Sequence, residues 1–352
     1  MGKKGGLLSL AVLVLCVSLC YLGIQASKVY AGENYGSHYP GGNEDFMAGG
    51  WAPPGTQFFM SYLVDYNAST LNNNSGRSAS LTTGVPAGAP PFIPGPRDGK
   101  VDFNLNVFMD ALRYLKITKY EVLGGNLSWH VIIPVGYDHV TMNAINGFSL
   151  LGPSSKTGIG DIEAGMGIGW RHSNTLSSVL AFDIVAPTGQ YSVTGTRYNY
   201  VVDPASLGRN YWSFDPIYLI TYIGGKDSPV PGLELSAKFM YWINTVNSAT
   251  SYVSGQEFSA DYLIGYHPSP QWAIGANGFY RYQLTDDTQY GKTAVDPLTG
   301  IATGVRGNVW SIGPAISYNI PHGCLTLKWQ HDIYAQNGPE GDKVWLRWIY
   351  VF

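Results

Sequence analysis

From about residue 56 to the end, the chain keeps returning to one pattern: apolar and polar or small residues alternate for some ten positions, then break off at a Gly-, Asn- or Pro-rich stretch. About twelve such segments can be laid out, at roughly 56–66, 101–115, 124–142, 160–173, 176–187, 210–223, 232–245, 254–267, 271–285, 306–320, 323–335 and 342–352. Successive side chains of a strand point to opposite sides of a sheet, so each segment has one apolar and one polar face. Each also reaches about the 9 to 11 residues that a tilted strand needs to cross a bilayer.

The faces are explicit in the clearest segments. Leu233, Leu235, Ala237, Phe239, Tyr241 and Ile243 alternate with Glu234, Ser236, Lys238, Met240, Trp242 and Asn244. Leu127, Trp129, Val131, Ile133, Val135 and Tyr137 oppose Asn126, Ser128, His130 and Asp138. In "KVWLRWIYVF", Val344, Leu346, Trp348, Tyr350 and Phe352 share one face, while Lys343 and Arg347 lie on the other. An uncovered soluble edge strand of that kind would aggregate. Facing lipid, it is the closing strand of a barrel, and Phe352 resembles the C-terminal aromatic by which outer-membrane proteins are recognised for assembly.

The connections alternate in length. Those at 67–100, 143–159, 188–209, 246–253, 286–305 and 336–341 are mostly long; those at 116–123, 174–175, 224–231, 268–270 and 321–322 are short. Long loops on one side and short turns on the other mark an outer-membrane barrel, with the short turns periplasmic. An even strand count puts both barrel ends in the periplasm and leaves no open edge. The expected fold is therefore all-β, a monomeric transmembrane antiparallel β-barrel of about 12 strands. Charged residues make up only 13% of the chain, about half of what soluble domains carry. After residue 31 no run of about 18 apolar residues occurs, which excludes a bundle of membrane helices.

The apolar run that does occur, "LLSLAVLVLCVSLCYLGI", follows Lys3 and Lys4 and precedes "VYA" at Ala31. A basic start, an apolar core and small residues before a cut make a secretory signal peptide over residues 1–31. Cleavage would leave Cys324 as the single cysteine, so no disulfide within the chain is possible. It would also remove three lysines and no acid, moving the formal charge from −3 to −6. A mildly acidic chain lacks the basic footprint that nucleic acid requires. Residues 32–55 have no period and include the Pro53-Pro54 pair, so they read as a periplasmic segment able to plug the lumen of a barrel over 56–352.

Several stretches resemble one bacterial family: "SHYPGGNEDFMAGGWAPPG" (37–55), "LGGNLSWHVIIPVGY" (123–137), "GIGDIEAGMGIGWR" (158–171), "GRNYWSFDPIYLITY" (208–222), "SGQEFSADYLIGYHPSPQWAIGANGFYRYQLTDD" (254–287) and "GPEGDKVWLRWIYVF" (338–352). They are similar, in the same order, to the MetA-pathway of phenol degradation outer-membrane proteins. The resemblance implies a transporter-like barrel associated with phenol and other aromatic compounds. No functional residue is carried over from it, and loops 67–100 and 286–305 match no family pattern.

The candidate lumen-lining residues are the polar members of the alternating pairs: His130, Asp161, Glu163, Arg171, Glu234, Lys238, Glu257, Asp261, Arg281, Lys328, Asp332 and Arg347, with Asp110, Asp183 and Asp215 beside them. Both signs occur, so they can pair across the lumen instead of forming a single-sign filter. Trp242, Phe279 and Trp345 are inward by the same count, while Tyr218, Tyr222, Trp272 and Trp348 read as the aromatic girdle. Ser128 and His130 share a face but lack an orienting acid, and Asp286 with Asp287 is an ordinary pair of loop acids; "GPSSKTG" lacks phosphate-loop spacing. The reading therefore holds no enzyme, cofactor or metal. The expected function is passive uptake of small hydrophobic or aromatic compounds across a Gram-negative outer membrane by a porin-like channel, with lipid and the barrel-assembly machinery as partners. A surface barrel acting structurally or adhesively through its loops is the alternative class, and an envelope hydrolase the third.

Overall fold

In the computed structural model, which describes residues 33, 36–82, 86–88, 97–147, 149–196, 199–296 and 301–352, alternation becomes one antiparallel wall. Its strands are β1 (Gln57–Asn72), β2 (Asp102–Val122), β3 (Gly125–Asn143), β4 (Ser149–Ile159), β5 (Ile162–Arg171), β6 (Leu176–Ala186), β7 (Ser213–Ile223), β8 (Leu233–Asn244), β9 (Glu257–Tyr266), β10 (Trp272–Gln283), β11 (Asn308–Ile320), β12 (Gly323–Gln336) and β13 (Gly338–Val351). Each pairs with the next except β4 and β5, which both pair with β3, and β1 pairs with β13 from Phe58 opposite Val351 to Asn72 opposite Gly338. Closure leaves no edge strand to template aggregation. The proposed signal peptide lies outside the described residues.

β4 and β5 are two halves of one stave, so thirteen strands form a barrel of twelve. β3 pairs with β4 at Val135 opposite Ile159 and with β5 at Ile132 opposite Glu163. Between them lies Pro134, which has no N–H to donate, and its carbonyl accepts from Gly160 at 2.9 Å. The stave breaks there, and Asp161 is freed to bond inward.

Several boundaries differ from the sequence reading, beginning with β1, which runs to Asn72, six residues into the expected loop 67–100. β2 runs to Val122, so the expected turn at 116–123 shrinks to Leu123 and Gly124, whose φ values of 51° and 75° fit a two-residue hairpin turn. The expected loop 143–159 is largely strand, because β4 begins at Ser149. The expected loop 336–341 is a tight reversal at Asn337, with φ 43°.

The outer surface carries exposed apolar side chains such as Ile264, Leu327, Leu346 and Trp329. Trp272 and Trp348 are exposed as a girdle requires. Tyr218 is 7% exposed, covered by neighbours that include its cross-strand partners Leu180 and Phe239. Inside, charged and polar groups are buried instead, among them Asp183, Asp215, Glu234, Lys238, Asp261 and Lys328. An all-β wall with an apolar exterior and a buried polar interior is an outer-membrane barrel.

Candidate functional site in the barrel interior

Residues 38–50 touch the inner wall almost at every step. The Asp45 carboxylate meets Lys328 Nζ at 2.9 Å and the Arg347 guanidinium, and all three side chains are at most 4% exposed. Glu44 lies 3.1 Å from Arg113 and 3.6 Å from Arg347. Burial alone would raise the Glu44 carboxyl, but Arg113, Lys238, Arg347 and Lys328 outweigh it and hold it below the usual carboxylate range. Two adjacent acids of the N-terminal segment thus face three cations of the wall.

Backbone groups complete the attachment. Asp261 accepts from Gly42 and Glu44 N–H at 2.9 Å each and from the Tyr39 hydroxyl. Glu234 accepts from Met47 N–H and bonds His267 at 2.6 Å. Lys343 donates to Pro40 O at 2.7 Å, and Thr221 accepts from Gly49 N–H. His38 bridges Asp161 at 2.8 Å and Ser213 at 2.7 Å. Burial pushes the His38 imidazole below its ordinary value despite the Asp161 bond.

A second cluster sits on β3, β5 and β6. Gly165 faces both His130 and Asp183 in the ladder, and having no side chain it lets them meet across it; a Cβ there would fall 1.8 Å from Asp183 Oδ1. His130 Nε2 is 3.1 Å from Asp183 and 3.7 Å from Glu163, a spacing that could suit a cation. The other ring nitrogen argues against one. Arg113 can only donate, and its 3.0 Å bond to Nδ1 makes that nitrogen an acceptor, which puts the neutral imidazole's proton on Nε2. Metal binding through Nε2 would then require an imidazolate or displacement of Arg113.

The remaining candidates have ordinary partners. Glu257 pairs with Arg281 at 3.8 Å, and Asp332 accepts from Tyr66 and from Gly341 N–H at 3.1 Å each. Lys238 lies 4.9 Å over the Tyr39 ring and opposite Asp261 in register. Trp242 stacks on Tyr39, and Phe279 and Trp345 receive Lys343 and Lys328 on their faces. Arg171 is exposed at the periplasmic rim, where it donates to Trp51 O at 2.8 Å. Ser128 donates to Gly167 O at 3.2 Å, so the Ser128 and His130 pair is not assembled as nucleophile and base. Asp287 is buried among Tyr252, Gly255 and Gln283, and Asp286 pairs with Arg306.

One assignment is reversed. Asp110 was expected inside, but it faces out and accepts from Ser61 Oγ at 2.9 Å. Arg113, of opposite parity, is the residue β2 sends inward, and sequence reasoning overlooked it. Counting alternate positions from Phe103, an apolar residue in a strand otherwise dotted with Asp and Asn, would have found it. His38, Glu44 and Asp45 were also absent from the candidate site, and Lys343, placed on the inner face with Arg347, was not counted in it; the adjacent acids of "NEDFM" were the available signal.

Among solved structures, an outer membrane channel from Pseudomonas putida F1 matches at TM-score 0.65 and 16% identity, covering 86% of this chain and 97% of that one. The monoaromatic hydrocarbon channel TodX, as a deltaS2 mutant, matches at TM-score 0.41 and 9% identity over 92% of this chain and 95% of its own. The autotransporter NalP translocator domain from Neisseria meningitidis gives 0.41 and 10% over 86% and 91%. The first shows a shared fold; the other two are too distant to add to it. No curated protein matches the sequence. Residues 87–348 match the family model described as putative MetA-pathway of phenol degradation, and with most of its length so matched this outer-membrane barrel belongs to that family.

Proposed function

We propose that the chain is a passive channel for small hydrophobic or aromatic compounds entering a Gram-negative cell, in which residues 32–55 act as a movable plug. The observation that carries this reading is the buried latch of Glu44 and Asp45 against Arg113, Lys328 and Arg347. A purely structural barrel has no need to thread a separate segment through its interior on so many buried charges. The family description, with its reference to phenol degradation, supports an aromatic solute. Mixed charges that pair with the plug argue against an ion-selective filter. The unassembled Ser128 and His130 pair supports a role without catalysis. Residues 1–31 serve as the secretion signal in this proposal, and lipid and the barrel-assembly machinery are the partners of the folded wall.

The test is solute flux into proteoliposomes, comparing the mature chain with a variant lacking residues 32–55. Flux of a labelled aromatic such as toluene should rise on deletion. Absence of flux in both would refute transport, and equal flux in both would refute the plug.

A further inference from the structure

The barrel interior is two-sided. β6 to β9 present Asp183, Asp215, Lys238, Glu257 and Asp261, whereas the inward positions of β2 from Phe103 to Ala111 are Phe103, Leu105, Val107, Met109 and Ala111. The strand's polar residues, Asn104, Asn106 and Asp110, take the outer face, so this part of the wall inverts the polarity of the rest. Phe108, between them in parity, is 48% exposed on that outer face. Asn106 bonds Asn67 at 2.6 Å and Asp65 at 3.4 Å on the neighbouring strand, which confirms that the inversion extends into β1.

We infer that the inner face of β2, from Leu105 to Ala111, is the apolar binding track for the hydrophobic solute; this rests on the transport reading above. Its upper end joins a closed cluster of Leu71, Phe103, Val140 and Met142 at the base of the extracellular loops. There the side chains are buried by one another, as in a soluble core. Lower down the character changes. Leu105, which still touches the cluster's edge, and below it Val107, Met109 and Ala111 are only half-buried although they point into the barrel. Apolar surface left uncovered in a water-accessible interior costs free energy, and natural proteins keep such patches where something binds.

The track's dimensions suit transit. Six residue steps separate Leu105 from Ala111, about 20 Å of strand at roughly 3.3 Å per residue. The next inward residue, Arg113, is the one that grips Glu44 of the N-terminal segment. A solute moving down the track therefore reaches the latch directly. Met60, Tyr62 and Val64 of β1 pack beside Met109 and Ala111 and make the track's flank apolar too. An aromatic hydrocarbon fits this surface; a sugar or an ion would leave the apolar wall unsatisfied and move along the charged one.

The experiment compares wild type, Leu105→Asn, Met109→Gln and Met109→Leu in proteoliposomes, with labelled toluene and labelled arabinose as probes and heat-modifiable gel mobility as the check of folding. Folded Leu105→Asn and Met109→Gln should lower toluene flux about tenfold, the cost of burying an unpartnered amide against an apolar solute, while arabinose flux stays at the wild-type level. Met109→Leu should keep both. Toluene flux unchanged in both amide variants, or an equal fall for toluene and arabinose, would overturn the track. A wild-type protein that carries no toluene would instead overturn the transport reading on which the track rests.

Discussion

Replacing Asp45 by Asn should release the N-terminal segment without unfolding the barrel. In the native protein the Asp45 carboxylate neutralises Lys328 at 2.9 Å and the Arg347 guanidinium, with both Asp45 and Lys328 side chains fully inaccessible. An amide keeps the shape but removes the charge, leaving two buried cations near one another. Removing one partner of a buried ion pair costs about 3 to 5 kcal/mol. Because the wall is held by its own ladder, that cost falls on the docked state of the segment, whose occupancy relative to the undocked state drops by roughly two to three and a half powers of ten at about 1.4 kcal/mol per tenfold. Planar-bilayer recordings should show the open time of Asp45→Asn approaching that of the variant lacking residues 32–55. A second substitution, Lys328→Met, should restore much of the docking, since a buried pair can be replaced by apolar groups at little cost. If Asp45→Asn records like wild type while the deletion variant opens, the charged latch does not hold the segment.

Other outcomes follow from the same geometry. Gly165→Ala should lower barrel yield by displacing Asp183 from its place 1.8 Å from the new Cβ, seen as loss of the heat-modifiable band; an unchanged yield would mean that His130 and Asp183 need not meet across it. Asp110→Leu, on the outer face, should leave conductance unchanged and stability within about 1 kcal/mol, whereas altered conductance would place Asp110 inside. Docking should also weaken with acid. The docked His38 imidazole lies below its ordinary value, so the undocked segment binds more protons; docking is fully favourable above about pH 6.5 and weakens as pH falls through it. Asp161, Glu163 and Arg209 act on that ring, and protease sensitivity of the segment between pH 8 and 5 should rise in wild type but stay flat in His38→Asn.

How much was legible in advance differs from strand to strand. β8 declared its faces because Glu234 and Lys238 are charged and Leu235 and Phe239 are not, so parity could be read directly. β2 misled because it is inverted: with Asp110 taken as inward, Arg113 of the opposite parity went unnoticed. The β4 and β5 break was hidden for another reason. A proline's missing N–H shows in sequence, but which neighbouring strand must break beside it depends on register.

Local alternation and loop spacing, which are properties of consecutive residues, were enough to determine that this chain closes into an outer-membrane barrel of about twelve strands with long loops on one side. Tertiary structure alone decided what fills it. Glu44 and Arg347 are separated by almost the whole chain, and no periodicity links an aperiodic N-terminal segment to cations on β2, β12 and β13. Their pairing exists because closing the wall buries those cations, and a buried charge requires a partner that only the threaded segment brings within reach.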